Sequence, residues 1–223
     1  MPQPEQEQKW LHRMTEHHLL EATLENVEAV VDAATNDEVL KNIPVVGTAV
    51  KLVKAAGDIR DKIFAAKLTR FLQALDKTTP EAREKIRQKI AASPEEARGV
   101  GETLLLVLDK ITALEKAEII AYVFIAYTLG HIGPTDFLRL SDAVDHAFVD
   151  DLAWLVSTRG QQVSTDQNPA AQLSRTGLTM PNLSETYIDA KDLYYSVSAV
   201  GERFLNAYLF GKEHCREGAN TRK

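Results

Sequence analysis

Ala117–Gly130, AEIIAYVFIAYTLG, decides how the rest of the chain is read. Glu118 is its one charge, and apolar residues lie on every side of a helix drawn through it. A helix that is apolar all round must be covered all round. At about 1.5 Å per residue it runs roughly 20 Å, short of a hydrocarbon core of about 30 Å. The stretch therefore predicts the central helix of a water-soluble helical domain, wrapped by its neighbours.

Working outward, Thr112-Ala113-Leu114-Glu115 has the form of a capping box that introduces this helix, and Gly130-His131-Ile132-Gly133-Pro134 ends it. The helix before it contains LLLVLDKI, another nearly all-apolar surface, and begins at a second capping box, Ser93-Pro94-Glu95-Glu96. Thr79-Pro80-Glu81 starts one more, with a cap residue and a proline at the first helical position. Ahead of it lies the longest amphipathic run, IPVVGTAVKLVKAAGDIRDKIFAAKLTRFLQAL. Val50, Val53, Gly57, Phe64, Leu68, Phe71 and Leu75 form its stripe, and Arg60 or Asp61 fills the gap. Gly57 costs about 1 kcal/mol against alanine inside a helix, so it marks a bend or a close crossing. Such short connections favour antiparallel neighbours in a bundle.

Downstream, one long helix is expected from about Thr135 to Ser157, with Phe137, Leu140, Val144, Phe148, Leu152 and Leu155 inward. Residues 158–182 are rich in Gln, Ser, Thr, Asn, Gly and Pro and read as a polar loop. Leu193–Val197 reads as a strand leading into a terminal helix, with a partner strand around Leu173–Leu178, and the tail beyond Gly211 is polar. At the other end, residues 1–9 read as frayed. A helical stripe follows: Trp10, Met14, His17, Leu20, Leu24, Val27, Val31 and Ala34, backed by a face of Glu, Asn and Asp. The expected fold is mainly α, a multi-helix bundle around a central apolar helix with a small winged-helix-like β-hairpin near the C-terminus. Its parts are an N-terminal helical arm (1–42), the bundle core (43–157), the polar loop (158–182) and a C-terminal hairpin, helix and tail (183–223).

The chain has 223 residues, 44% hydrophobic and 26% charged, the balance of an ordinary globular protein. A formal net charge of −6 argues against general nucleic-acid binding, which needs a basic excess. Cys215 is the one cysteine, which rules out an intrachain disulfide and suits a reducing cytoplasm. The polar start, MPQPEQEQKW, has no apolar core of a secretory signal.

Candidate chemistry is sparse. His12 with Glu16, and His17 with Glu21, each place two metal-ligand types on one helix face, but no third or fourth ligand accompanies them, and a solvated face explains them. Asp142, Asp145, His146, Asp150 and Asp151 are denser. Asp142, His146 and Asp150 fall opposite the apolar face, where a charged outer surface accounts for them. Asp151 and Asp61 fall close to apolar stripes, and a carboxylate turned inward must be paired or lose its charge. Asp61 or Asp151 is expected to make a partly buried ion pair, with Arg60, Arg70 and Arg139 as available partners. No nucleophile or base motif stands beside them, so no catalytic residue, cofactor or metal is expected.

IPVVGTAVKLVKAA combines an apolar face carrying Val45, Val46 and Val50 with lysines, as interfacial membrane helices do, although burial in the bundle explains the same face. LSRTGLTMPN and LYYSVSAVGERFLNAYL resemble the end of a winged-helix unit, with Gly201 where such units have their glycine. Acidic residues outnumber basic ones from Thr135 onward, against a DNA-reading role. Residues from about Ile43 to Leu155 resemble a widespread set of uncharacterised bacterial proteins. The likeness rests on IPVVGT, DIRDKIFAAKLTRFL, GETLLLVLDKI with EKAEIIAYVF, and DFLRLSDAVDHAFVDDLAWL. It implies a shared helical fold and a bacterial origin, and carries over no catalytic residue. The expectation is a non-enzymatic interaction or regulatory protein of the bacterial cytoplasm. Trp10, Met14, Leu20 and Leu24 are its expected contacts to a protein partner or a second copy, because that stripe cannot bury itself alone. A peripheral membrane effector acting through residues 43–54 is the alternative, and a DNA-binding regulator acting through the C-terminal unit is the second. No small-molecule ligand can be named.

Overall fold

The computed structural model describes residues 59–92, 94–159, 163–164, 169–182 and 194–219. The arm with Trp10, Met14, Leu20 and Leu24, the segment with Val45, Val46 and Val50, and the paired His12, Glu16, His17 and Glu21 lie outside the described residues. In chain order the helices are α1 (Ile59–Asp76), α2 (Pro80–Ala92), α3 (Pro94–Lys110), α4 (Leu114–Thr128), α5 (Pro134–His146) and α6 (Val149–Thr158). Strand β1 (Val163–Ser164), α7 (Pro169–Leu173), a 3-10 turn (Ser174–Thr176), β2 (Thr179–Asn182), β3 (Tyr194–Val197) and α8 (Ala199–Ala219) follow. Helices take up 82% of the described residues, which makes the chain mainly α.

The quoted stretch forms α4, and every residue from Ile120 to Thr128 is buried. Its neighbours are α8, α1 and α5, which pack around it. Aromatic edges lock the layers: Phe71 of α1 and Phe137 of α5 meet Phe124 at 5.5 and 5.9 Å, and Tyr208 of α8 meets Tyr122 at 5.3 Å. Burial of each such ring contributes about 2–3 kcal/mol. The one charge in the stretch is also satisfied. Glu118 is half-buried, accepts the Tyr122 hydroxyl at 2.5 Å and stands 3.8 Å from Lys77.

Helix starts follow the expected chemistry at α2, where the Ala82 N–H donates to Thr79 Oγ1 at 3.1 Å and Pro80 opens the helix. At α4 the cap is different. Ala113 is the N-cap and makes no side-chain bond, while Thr112 Oγ1 accepts from Lys116 Nζ at 2.9 Å. A buried ammonium needs that oxygen more than an exposed helix end does.

Four expectations downstream are corrected. The helix expected from Thr135 to Ser157 is two helices, because Ala147 and Phe148 are extended (ψ 152° and 145°). Phe148 becomes the N-cap of α6 and is 72% exposed rather than inward. Asp150 and Asp151 fall in the first turn of α6, where the helix dipole favours carboxylates. Residues 158–182 hold α7 and two strands as well as loop; Ala170 and Leu173 are buried, and Thr179 Oγ1 donates to Ala170 O. Leu173–Leu178 is a turn, held by left-handed Gly177 (φ 76°) and a Leu178 N–H bond to Leu173 O. The partner strand therefore begins at Thr179, paired with Val197 and continuing antiparallel to Asn182 opposite Tyr194. The two-residue β1 pairs on the other side of β3, giving the order β1-β3-β2. Lastly, α8 runs past Gly211 to Ala219 with Cys215 buried, so residues 212–219 belong to that helix and not to a tail.

Backbone approach explains two glycines in α8. A Cβ at Gly211 would stand 2.1 Å from Tyr122 O, and one at Gly201 would stand 2.0 Å from Leu178 O. The first lets α8 lie directly on α4; the second lets its start sit against the turn before β2. Ser198 caps that start, accepting the Gly201 N–H at 3.0 Å.

Candidate functional site

Helices α3 and α5 lie side by side and run in the same direction, so that Gly99 and Val100 stand near Pro134 and Phe137, and Lys110 stands near Asp142 and Asp145. Between them is an open cleft of about 710 Å³ with an adjoining hollow of about 270 Å³; Thr103 and Leu138 line both, which makes one groove. On α3 it is faced by Val100, Thr103, Val107 and Lys110, and on α5 by Pro134, Leu138, Ser141 and Asp145. Each set is spaced by threes and fours, one face of one helix. At about 1.5 Å per residue the groove is roughly 16 Å long, three helical turns. Its lips are apolar and open: Leu106 is 71% exposed and Leu138 is 50% exposed.

The far end is charged. Lys110 Nζ donates to Asp142 Oδ1 at 2.7 Å and lies 3.5 Å from Asp145 Oδ2, so two carboxylates share one ammonium. The hydrogen bond from Lys110 holds the Asp142 carboxyl below its usual range, and the same bond raises Lys110. Behind this surface two lysines are buried. Lys116 donates to Asp145 O at 2.6 Å, and Lys67 donates to Asp109 O at 2.9 Å. Burial lowers the pKa of both, opposed by the charge of Asp145 at Lys116 and of Asp109 at Lys67. Arg60, at the start of α1, reaches Asp109 at 3.4 Å, placing that start beside the charged end. Ser141 Oγ and Asp145 Oδ1 are buried with no hydrogen-bond partner among the described residues.

The sequence-predicted residues divide. Asp142 and His146 are exposed as expected, with His146 Nδ1 3.7 Å from Asp142 Oδ2. Asp145 is brought inward beside Lys110. Asp151 is half-buried, and burial followed by the charge of Asp150 raises its pKa; no arginine pairs with it among the described residues. Asp61 is exposed, which corrects the expectation of a buried pair there. It lies in the first turn of α1, ahead of the apolar run from Phe64, where the dipole accommodates a carboxylate in water. Among the described residues, no three His, Cys, Asp or Glu side chains are placed to hold a metal ion. Nor is any helix there long and apolar enough to cross a membrane.

The groove itself was not anticipated. Its one signal was LLLVLDKI: Leu104, Leu105 and Leu106 point about 100° apart on a helix, and a single neighbouring layer cannot cover all three. Leu104 is buried, Leu105 is half-buried and Leu106 is bare.

No protein-family model matches the chain, and neither the curated proteins nor the solved structures return a match.

Proposed function

We propose that this protein is a non-enzymatic interaction module of the bacterial cytoplasm that takes an amphipathic helix of a protein partner into the α3–α5 groove. The observation that carries this reading is the three-turn groove with two bare leucine lips. Helix-in-groove recognition uses apolar anchors three and four residues apart laid between two helices, and this groove has that length and lining. Covering Leu106 and Leu138 removes apolar surface worth about 1–2 kcal/mol each. The charged end then fixes direction and register more than affinity.

Site-specific photocrosslinking tests it. A photoreactive residue at Leu106 in the full chain, expressed in the native host, is expected to capture one dominant protein, with the adduct mapping to an amphipathic helix. The same group at exposed Glu213 on α8 should not capture it. Equal capture at both positions, or none at Leu106, refutes the reading.

A further inference from the structure

Two polar atoms of α5 stand at the groove without a partner. Ser141 is 2% exposed and the Asp145 side chain 10% exposed, and both residues line the α3–α5 cleft. Among the described residues, neither Ser141 Oγ nor Asp145 Oδ1 meets a hydrogen-bond partner. Unsatisfied polar groups held away from water are destabilising, and native folds keep few of them. These two are four residues apart, neighbours on one face of one helix.

The polar groups around them are committed elsewhere. Lys110 Nζ donates to Asp142 and lies 3.5 Å from Oδ2 of Asp145, the other carboxylate oxygen. Lys116 Nζ donates to Thr112 Oγ1 and to the backbone carbonyl of Asp145, and Lys67 Nζ to that of Asp109.

Charge balance narrows what could satisfy the pair. At this end Asp109, Asp142 and Asp145 are set against Lys67, Lys110, Lys116 and Arg60, with His146 3.7 Å from Asp142 Oδ2 and exposed Arg139 lining the cleft. The carboxylates are already matched by cations, so a further lysine or arginine meets no excess of negative charge. A carboxylate has no hydrogen to give Asp145 Oδ1. The fitting group is neutral, donates to Asp145 and accepts from the Ser141 hydroxyl.

A carboxamide does both. Its nitrogen and oxygen are about 2.2 Å apart, and a hydrogen bond of about 2.9 Å on each side lets it bridge side chains whose Cβ atoms stand about 5–6 Å apart, the i to i+4 spacing. A hydroxyl would have to serve both atoms from a single oxygen and reaches less far.

We infer that the α3–α5 groove reads a side-chain carboxamide: the partner helix carries Asn or Gln among its apolar anchors, donating to Asp145 Oδ1 and accepting from Ser141. It reaches the pair by pushing aside the half-exposed side chains of Leu138 and Lys110. This rests on the groove being a helix-docking site, as proposed above, and adds the residue type by which that site selects. A leucine at the same position would leave both atoms buried and unpaired, and polar sites reject such analogues strongly.

The probe is a displayed library of amphipathic helices three to four turns long, each apolar anchor randomised in turn, selected on the full chain and counter-selected on Leu106→Asp. Recovered helices should carry Asn or Gln at one anchor. Changing that residue to Leu in a synthetic peptide should weaken binding to the wild type roughly tenfold or more, and clearly less to Ser141→Ala. In the free full-length chain Ser141→Ala should leave Tm unchanged or raise it, since no hydrogen bond is lost. A lowered Tm overturns the inference, because it places the partner of Ser141 within the chain. Recovered helices with an apolar residue, Lys, Arg, Ser or Thr in place of the carboxamide overturn it too, and leave the docking reading standing. Recovery of no helix that Leu106→Asp rejects removes the docking reading and the inference together.

Discussion

Replacing Gly211 by alanine probes the contact on which the bundle is built. The added Cβ would lie 2.1 Å from Tyr122 O, 2.7 Å from Tyr122 C and 2.8 Å from its Cα. These are backbone atoms in the middle of α4, so no side chain can swing aside. Ordinary contact requires α8 and α4 to separate by roughly 1 Å, which loosens Tyr208 from Tyr122 and lifts buried Phe204. Overpacking of this kind costs about 1–3 kcal/mol, and a backbone clash belongs at the upper end. Alanine returns about 1 kcal/mol of helix propensity. The net loss is about 2 kcal/mol, or roughly 4–8 °C in Tm for a chain of this size. Gly99→Ala is the internal control, since its Cβ would meet nothing within 4 Å on α3. It should gain about 0.5–1 kcal/mol from the same propensity. Guanidinium unfolding followed by far-UV circular dichroism compares the two. Equal stability of Gly211→Ala and Gly99→Ala would refute the close crossing and, with it, the seat of α8 on α4.

Phe148→Ala should change stability by less than about 0.5 kcal/mol, because the ring is exposed, whereas Phe137→Ala should cost about 3–5 kcal/mol. Comparable losses in a denaturant titration would restore the unbroken Thr135–Ser157 helix. Burial pushes the Cys215 thiol up to about 11, and the side chain is enclosed, so modification by a thiol reagent near neutral pH should follow global unfolding. Fast labelling of the native protein would contradict the packing of α8 against α1. Hydrogen bonds from Arg87, then Gln88, lower the Glu84 carboxyl to about 2. A carboxyl depressed in the folded state stabilises above its unfolded pKa, and that contribution is lost as pH falls from about 4.5 toward 2. Carbon-detected NMR titration should show Glu84 among the last carboxyls to protonate, and Arg87→Met should return it toward the ordinary range.

What could be read in advance followed from patterns whose physics is local. AEIIAYVFIAYTLG had to be enclosed because no face of it was polar. Thr79-Pro80 had to start a helix because its hydroxyl and fixed φ suit nothing better. Where those readings failed, a local pattern competed with a contact made from elsewhere. The 3.6-residue stripe runs unbroken from Phe137 through Phe148 to Leu155, yet the chain turns between Ala147 and Phe148. In LSRTGLTMPN the apolar residues at 173 and 178 suggested a strand edge, and a left-handed glycine made that piece a turn instead. Thr112 had the form of a cap and was claimed by Lys116, whose burial under Asp145 no neighbouring residue announces.

The groove shows the same limit from the other side. An apolar helix such as α3 states that every face needs cover, but not which face the fold itself supplies. Leu104, Leu105 and Leu106 are interchangeable in composition, and their order of burial is set by where α1 and α2 arrive. Lys110 and Asp145 are likewise unremarkable as letters, since surface helices carry such residues routinely. They become informative once Asp142 and Asp145 are seen to share Lys110 at the charged end of an apolar groove. A face that the fold leaves bare, with charge at one end and leucine at its lips, has shape, length and direction, and those three properties together are what a helical occupant must match.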